Sequence, residues 1–239
     1  MKFLTSATNE YKTRATILEN SIHRFHPNDE FINVKPISSI INRGYLEKFH
    51  EEKYKHILNL LESQNEPVVY IGADCELFSK LIEIEMLLTY PRVNVILVPH
   101  YKKPIASRSH MVQTYTTGMA NSDFIVFNNT PKAKEICKWL ITVVKDNNGN
   151  GEFYDQPWLT SLPFLYKGVE IINHPGYNVG YWDMRDSTFT RDTIDNEPIR
   201  FMHYSGFEMG NPEQVSKHSG GLRVTGDLLE IMKDYNRRI

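Results

Sequence analysis

Apolar positions along this chain change period several times, and each change marks an element. Phe3-Leu4 reads as a short first strand running into the polar turn Thr5 to Glu10, after which helical spacing holds from about Tyr11 to Phe25. Phe31 to Val34 reads as a second strand. From Tyr45 to about Ser63, Leu46, Phe49, Tyr54, Ile57, Leu58 and Leu61 fall on one helical face, and Pro67 then resets the chain. The continuous run Val68-Val-Tyr-Ile71 suits a parallel strand covered on both faces, as does Val93 to Val98. Ser79 to Leu88 suggests a helix, Asp123 to Phe127 another strand, and Pro131 to Val144 a helix opened by proline. DNNGNGE, Asp146 to Glu152, reads as a flexible surface loop. Strands alternating with helices predict an α/β sheet with crossovers. The stretch from Tyr154 to Gly221 differs: it is dense in aromatic residues, Gly, Pro and His, as segments that wrap a site often are.

The totals refine this picture without changing it. A chain of 239 residues with 41% hydrophobic content can bury one substantial core, which predicts a single domain over residues 1–239. A formal charge of −2 gives no global field toward nucleic acid or anionic membrane. The start, MKFLTSATNEYK, has too short an apolar run for a signal peptide and no run reaches membrane-spanning length, so a soluble, cytoplasmic protein is expected. Cys75 and Cys137 make neither a disulfide framework nor a zinc site.

Candidate chemistry begins at VVYIGADCELF, Val68 to Phe78, where a buried strand delivers Asp74 and Glu76 just beyond its apolar end. Ligands of open α/β sheets gather at such ends. Asp74 could equally cap the following helix, with Glu76 in solvent. A second cluster, Arg200 to Glu208, presents His203 on a short strand that turns at Gly206. An acid and an imidazole from two strand ends suit a hard or borderline divalent cation. A third, FYDQPWLTSLP, sets Asp155 and Gln156 ahead of a helix, where Asp155 also reads as a capping residue.

The order of these segments, from Phe3 to about His218, resembles nucleotide-sugar glycosyltransferases of the GT-A fold, nearest to bacterial sugar transferases related to the retaining, glycogenin-like and galactosyltransferase-like group. VVYIGAD resembles their strand ending in Asp-x-Asp. Gly118 to Phe124 is similar to their Gly-x-x-Asn-x-x-Phe segment, and FYDQPWLTSLP to their Asp-Gln-x-Trp-Leu block. Asn173 to Arg185 resembles Pro-Gly-Tyr-Asn-x-x-x-Trp, and MHYSGFEMGNPEQVSKH resembles His-Phe-Ser-Gly followed by Ser-Lys-His. The resemblance implies a Rossmann-like nucleotide-sugar-binding sheet with flanking helices, and transfer of a sugar from a nucleoside diphosphate to an acceptor hydroxyl. It implies Asp74 and His203 as ligands of Mn2+ or Mg2+, Lys217 on the diphosphate, and Thr5, Ala7, Thr8 and Tyr11 around the nucleoside. Asn121 and Asp155 would bind sugar hydroxyls, with Gln156 near the anomeric carbon. Asp155 and Gln156 are then the catalytic candidates, and a poor nucleophile at Gln156 favours retention on one face.

Two positions depart from the pattern. Gly72 stands where the first acid of Asp-x-Asp is expected, so that water or Glu76 takes its place or metal dependence weakens. Ser122-Asp123 stands where small or apolar residues are usual, and bears on sugar or acceptor choice or simply starts a strand. The basic stretch His100 to His110 offers Lys102, Lys103 and Arg108 to an acceptor, either a glycan or, speculatively, a hydroxylated base in DNA, since phosphate contacts need only a few placed cations. A catalytically silent nucleotide-sugar-binding protein and a metal-dependent phosphohydrolase are the other readings.

Overall fold

The computed structural model describes residues 1–36, 43–104, 108–145 and 155–239. A six-stranded sheet forms its centre, in the order β2 (Glu30–Val34), β1 (Lys2–Ser6), β3 (Val68–Ile71), β6 (Ala120–Phe127), β5 (Val95–Pro99) and β7 (Val169–Ile171). Strand β1 runs parallel to both neighbours, and β5 is parallel to β7, but β6 is antiparallel to β3 and β5. The apolar runs read from the sequence are thus the strands, with β1 longer than Phe3-Leu4 and β6 starting three residues before Asp123.

Alternation along each strand sends its side chains to opposite layers. Leu4, Tyr70, Leu97 and Ile125 face one layer with α2 (Arg43–Ser63), α5 (Pro131–Lys145) and α6 (Gln156–Leu165), through Ile57, Leu140 and Leu162. Phe3, Val69, Ile96 and Phe124 face the other, with Leu18 and Ile22 of α1 (Lys12–Phe25) and Ile84 of α3 (Ile82–Leu88). Each such fully buried side chain contributes roughly 1.5–3 kcal/mol by leaving water.

The aromatic-rich segment supplies strands to two small sheets apart from the central one. Its strand β10 (Phe201–His203) pairs antiparallel with β4 (Cys75–Leu77) in a separate two-stranded sheet, where His203 stands opposite Cys75 and Met202 opposite Glu76. A hairpin of β8 (Thr193–Ile194) and β9 (Glu197–Pro198) precedes it. A final helix, α7 (Gly226–Arg238), was not read from the sequence and closes a third core through Leu228, Ile231, Met232 and Tyr235 against Val179, Met202 and Tyr204. The basic stretch is not wholly loop either, because Arg108 opens a helix, α4 (Arg108–Thr117). The expected surface loop at 146–152, with Phe153 and Tyr154, lies outside the described residues.

Candidate functional site

The ends of β3 and β6 meet β10 at one rim of the sheet. Beyond Ile71 the chain makes a tight turn, in which the Cys75 N–H donates to the Gly72 carbonyl at 3.0 Å, and this turn carries Asp74. The Tyr204 N–H donates to the Asp74 carbonyl at 2.9 Å, tying the turn to the strand that bears His203. The His203 Nε2 lies 3.5 Å from Asp74 Oδ1 and 3.6 Å from Asp123 Oδ2, and although buried it has no hydrogen-bond partner among the described residues. On the other side of the ring, Nδ1 lies 2.9 Å from Asn178 Oδ1. A proton on Nδ1 satisfies that bond and leaves the Nε2 lone pair facing two carboxylates, the tautomer suited to a metal ligand.

The charges agree with that reading. Burial alone would lower the His203 pKa, yet the carboxylates of Asp74 and Asp123 prevail and raise it. Burial would likewise raise the Asp74 carboxyl, but His203 and the Arg14 guanidinium hold it below the ordinary carboxylate range. A positive charge, as proton or as cation, is what this corner favours. Asp74, Cys75 and His203 offer ligand atoms within 4.8 Å of one another. Cys75 is kept as a thiol by burial and by the adjacent acids, so a hard ion would be met by oxygen and nitrogen rather than sulfur. The donor set fits Mn2+ or Mg2+.

Glu76, the alternative ligand, is a correction. Because the turn at 72–75 breaks the extended geometry, Glu76 does not share Asp74's face. Its carboxylate accepts from both ends of the Arg238 guanidinium, at 2.6 and 2.8 Å, and from the Tyr204 hydroxyl at 3.2 Å.

A cleft of about 910 Å3 opens from His203, lined among others by Asn121, Asp123, Gln156, Trp182 and Ser219. Asn121 is buried, its amide donating to Asn178 Oδ1 and its carbonyl accepting from the Asp123 N–H at 2.7 Å. Gln156 is held at both ends, accepting from the Ser122 N–H at 3.2 Å and donating to the Thr117 carbonyl at 3.0 Å. Asp155, its sequence neighbour, does not line the cleft. It occupies the helix N-cap position without a capping bond; its fully buried carboxylate instead pairs with Lys53, accepts from the Tyr54 hydroxyl at 2.8 Å, and lies 3.3 Å from His50. The structure thus places Asp155 as a buried partner of Lys53 outside the cleft lining, with Oδ1 left without a hydrogen-bond partner among the described residues.

The nucleoside candidates gather beside the metal turn. Ala7 and Tyr11 pack with Ala73, and the buried hydroxyls of Thr5 and Thr8 lack partners among the described residues. Lys217 is exposed, next to His218 and Ser219, which line the cleft.

Of the three acceptor cations, Lys102 and Lys103 both line the cleft. Lys102 is buried, donating to Asp183 at 2.8 Å and to the Asn178 carbonyl at 2.9 Å, and burial lowers its pKa despite that partner. Lys103 pairs with Asp195 at 2.8 Å, and Arg108 lies outside the cleft lining. Sequence reasoning missed Asn178, Arg14, Lys53 and His50. The first stands inside a quoted motif and was legible there, whereas the others lie on helix faces whose spacing announces only burial.

No family model matches the chain. It is 28% identical over 131 residues to the uncharacterized protein YfnF of Bacillus subtilis (strain 168), covering 51% of this chain and 42% of that protein. It is 24% identical over 179 residues to YfnD of the same organism, covering 70% and 56%. The chain spans about half the length of these curated relatives. Among solved structures, it superposes on the galactosyltransferase LgtC in complex with donor and acceptor sugar analogs with a TM-score of 0.58 at 14% identity, covering all of this chain and 96% of that one. A glycosyltransferase involved in glycosylating the major capsid of PBCV-1 gives 0.57 at 13% identity, over 84% and 92%. The glycosyltransferase GlyE of Streptococcus pneumoniae TIGR4 gives 0.57 at 12% identity, over 98% and 59%. The chain has the GT-A glycosyltransferase fold.

Proposed function

We propose that this protein transfers a sugar from a nucleoside-diphosphate sugar to an acceptor hydroxyl, using a divalent cation. The observation that carries the reading is the buried His203 Nε2, which has no hydrogen-bond partner among the described residues and faces the Asp74 carboxylate at the strand ends of this fold. Asp74 and His203 would hold the cation, which when bound supplies Lewis-acid neutralisation of the departing diphosphate. Lys217 places an ammonium for the same anion. The Thr5 and Thr8 hydroxyls, which have no hydrogen-bond partner among the described residues, would give the nucleoside donors and acceptors beside Tyr11.

Gln156, fixed by Ser122 and Thr117, presents a carboxamide and no nucleophile to the cleft. With Asp155 committed to Lys53, the cleft has no carboxylate beside Gln156 in sequence, which supports departure and attack on one face and hence retention. Since Lys102 and Lys103 are internally paired, a neutral glycan hydroxyl is the favoured acceptor.

The test is a thermal-shift panel of UDP, GDP, CDP and ADP, each with Mn2+ and with EDTA. A ligand at a hundred times its Kd stabilises by about 2.7 kcal/mol. For a chain of this length that corresponds to a Tm rise of about 5–10 °C. One nucleotide should give that rise with Mn2+ and much less with EDTA. A Tm unmoved by every nucleotide under both conditions would sink the proposal.

A further inference from the structure

The register of β3 and β6 pairs Ile71 with Phe124, and the Gly72 N–H continues the ladder by donating to the Asp123 carbonyl at 2.8 Å. Gly72 and Asp123 are therefore cross-strand partners, and side chains at such partners lie on the same face. Gly72 does not need glycine for its backbone, because its φ is outside the left-handed region. What crowds the position is chiefly Asp123: a Cβ at position 72 would lie 3.0 Å from the Asp123 Cβ, 3.2 Å from its Cγ and 3.1 Å from Asp74 Oδ1, so these side chains would have to give by a few tenths of an ångström. The space that a side chain at 72 would enter is filled by the side chain at 123.

We propose that Asp123 supplies the carboxylate that Gly72 lacks, so that the cation is held by Asp74, His203 and an acid delivered from the adjacent antiparallel strand. Two observations independent of the register point the same way. Asp123 Oδ2 stands 3.6 Å from His203 Nε2, almost the 3.5 Å of Asp74 Oδ1, and that buried nitrogen has no hydrogen-bond partner among the described residues. Asp123 is also held by design of the strand: its N–H donates to Asn121 Oδ1, and Asn121 in turn bonds Asn178, which fixes the far side of the His203 ring. One short network thus sets both the imidazole and the backbone from which the acid projects. With 42% of its side chain exposed to the cleft, Asp123 keeps the rotamer freedom to close on an ion.

This assignment rests on the donor reading above but is tested apart from turnover. Mn2+ binding is measured by electron paramagnetic resonance titration, alone and with the nucleotide that the thermal-shift panel selects, in the parent protein, Asp123→Asn, and the reciprocal pair Gly72→Asp with Asp123→Gly. Asp123→Asn keeps shape and is partly exposed, so it is expected to fold, which circular dichroism checks. It should weaken Mn2+ at least tenfold. The reciprocal pair should recover affinity to within about threefold of the parent, because the acid then enters the same space from the other strand. An Asp123→Asn variant within twofold of the parent overturns the assignment and leaves water as the substitute, with the donor reading intact. A parent that binds Mn2+ through Asp123 but no nucleotide keeps the assignment and removes the donor reading. A parent that binds neither removes both.

Discussion

Asparagine at position 155 would change a charge but hardly a shape, and the consequence follows from what surrounds it. Burial alone would raise the Asp155 carboxyl, yet His50 and Lys53 hold it well below the ordinary range, and the Lys53 ammonium, itself buried, also donates to the Ser122 carbonyl. Asp155→Asn should therefore leave a buried ammonium without its counter-ion and destabilise the protein by about 3–5 kcal/mol, measured by urea unfolding. Lys53→Met added to it should recover part of that loss, since the pair is then absent rather than broken. His100 gives a second residue-scale prediction, about pH. Burial first, then the charges of His203 and Lys102, lower its pKa to about 3, so the folded state holds it neutral while the unfolded chain protonates near 6.5. Its contribution is complete above pH 6.5 and is lost as pH falls from there toward 3, at up to about 1.4 kcal/mol per pH unit. His100→Gln should flatten the stability profile between pH 6 and 4; an unchanged slope there would show that other groups carry the acid limb.

At the scale of elements, α7 acts on the site through β4. Tyr235 stacks on Tyr204 with ring centroids 3.5 Å apart and planes 7° from parallel, and Arg238 forks onto Glu76 one turn later. Both contacts fix the short sheet that holds His203 opposite Cys75. Glu76→Gln and Arg238→Ala should each cost about 1–2 kcal/mol in urea unfolding, as expected for partly exposed charge-assisted bonds. Neither should change Mn2+ affinity by more than about twofold; a tenfold loss in Glu76→Gln would return Glu76 to the metal. The sequence misled here for a definite reason. Two residues apart means one face only in extended chain, and the turn closed between Gly72 and Cys75 interrupts that period. The helix itself was legible, because Leu228, Ile231, Met232 and Tyr235 repeat at three and four residues, a pattern that the likeness to family motifs, ending near His218, drew attention away from.

Across the whole molecule, what sequence revealed and what it withheld divide along locality. Runs such as Val68-Val-Tyr-Ile71 announce a strand because burial on both faces is written in consecutive residues, and the gathering of Asp74 with His203 followed from motif order. The direction of β6 was not written anywhere local, and without it Asp123 read as an oddity while Gly72 read as a loss; their pairing exists only in the register. The same holds for charge. Lys102 and Lys103 looked like part of a basic patch because their partners, Asp183 and Asp195, lie some eighty to ninety residues further along the chain. The structure turns that patch into struts between the basic stretch and the segment carrying Trp182, on a chain whose formal charge is −2. A polyanionic acceptor contacted through six to ten phosphates would lose roughly 10³–10⁵ in affinity between 50 and 200 mM salt. The proposed sugar transfer should instead vary little over that range, and Lys102→Gln with Lys103→Gln should lower Tm without altering the salt profile. The measurement is product formation on a neutral oligosaccharide at each salt concentration beside thermal unfolding of the double variant. A steep salt dependence in the parent that becomes shallow in the variant would mean that these lysines leave their carboxylates to meet an anionic acceptor.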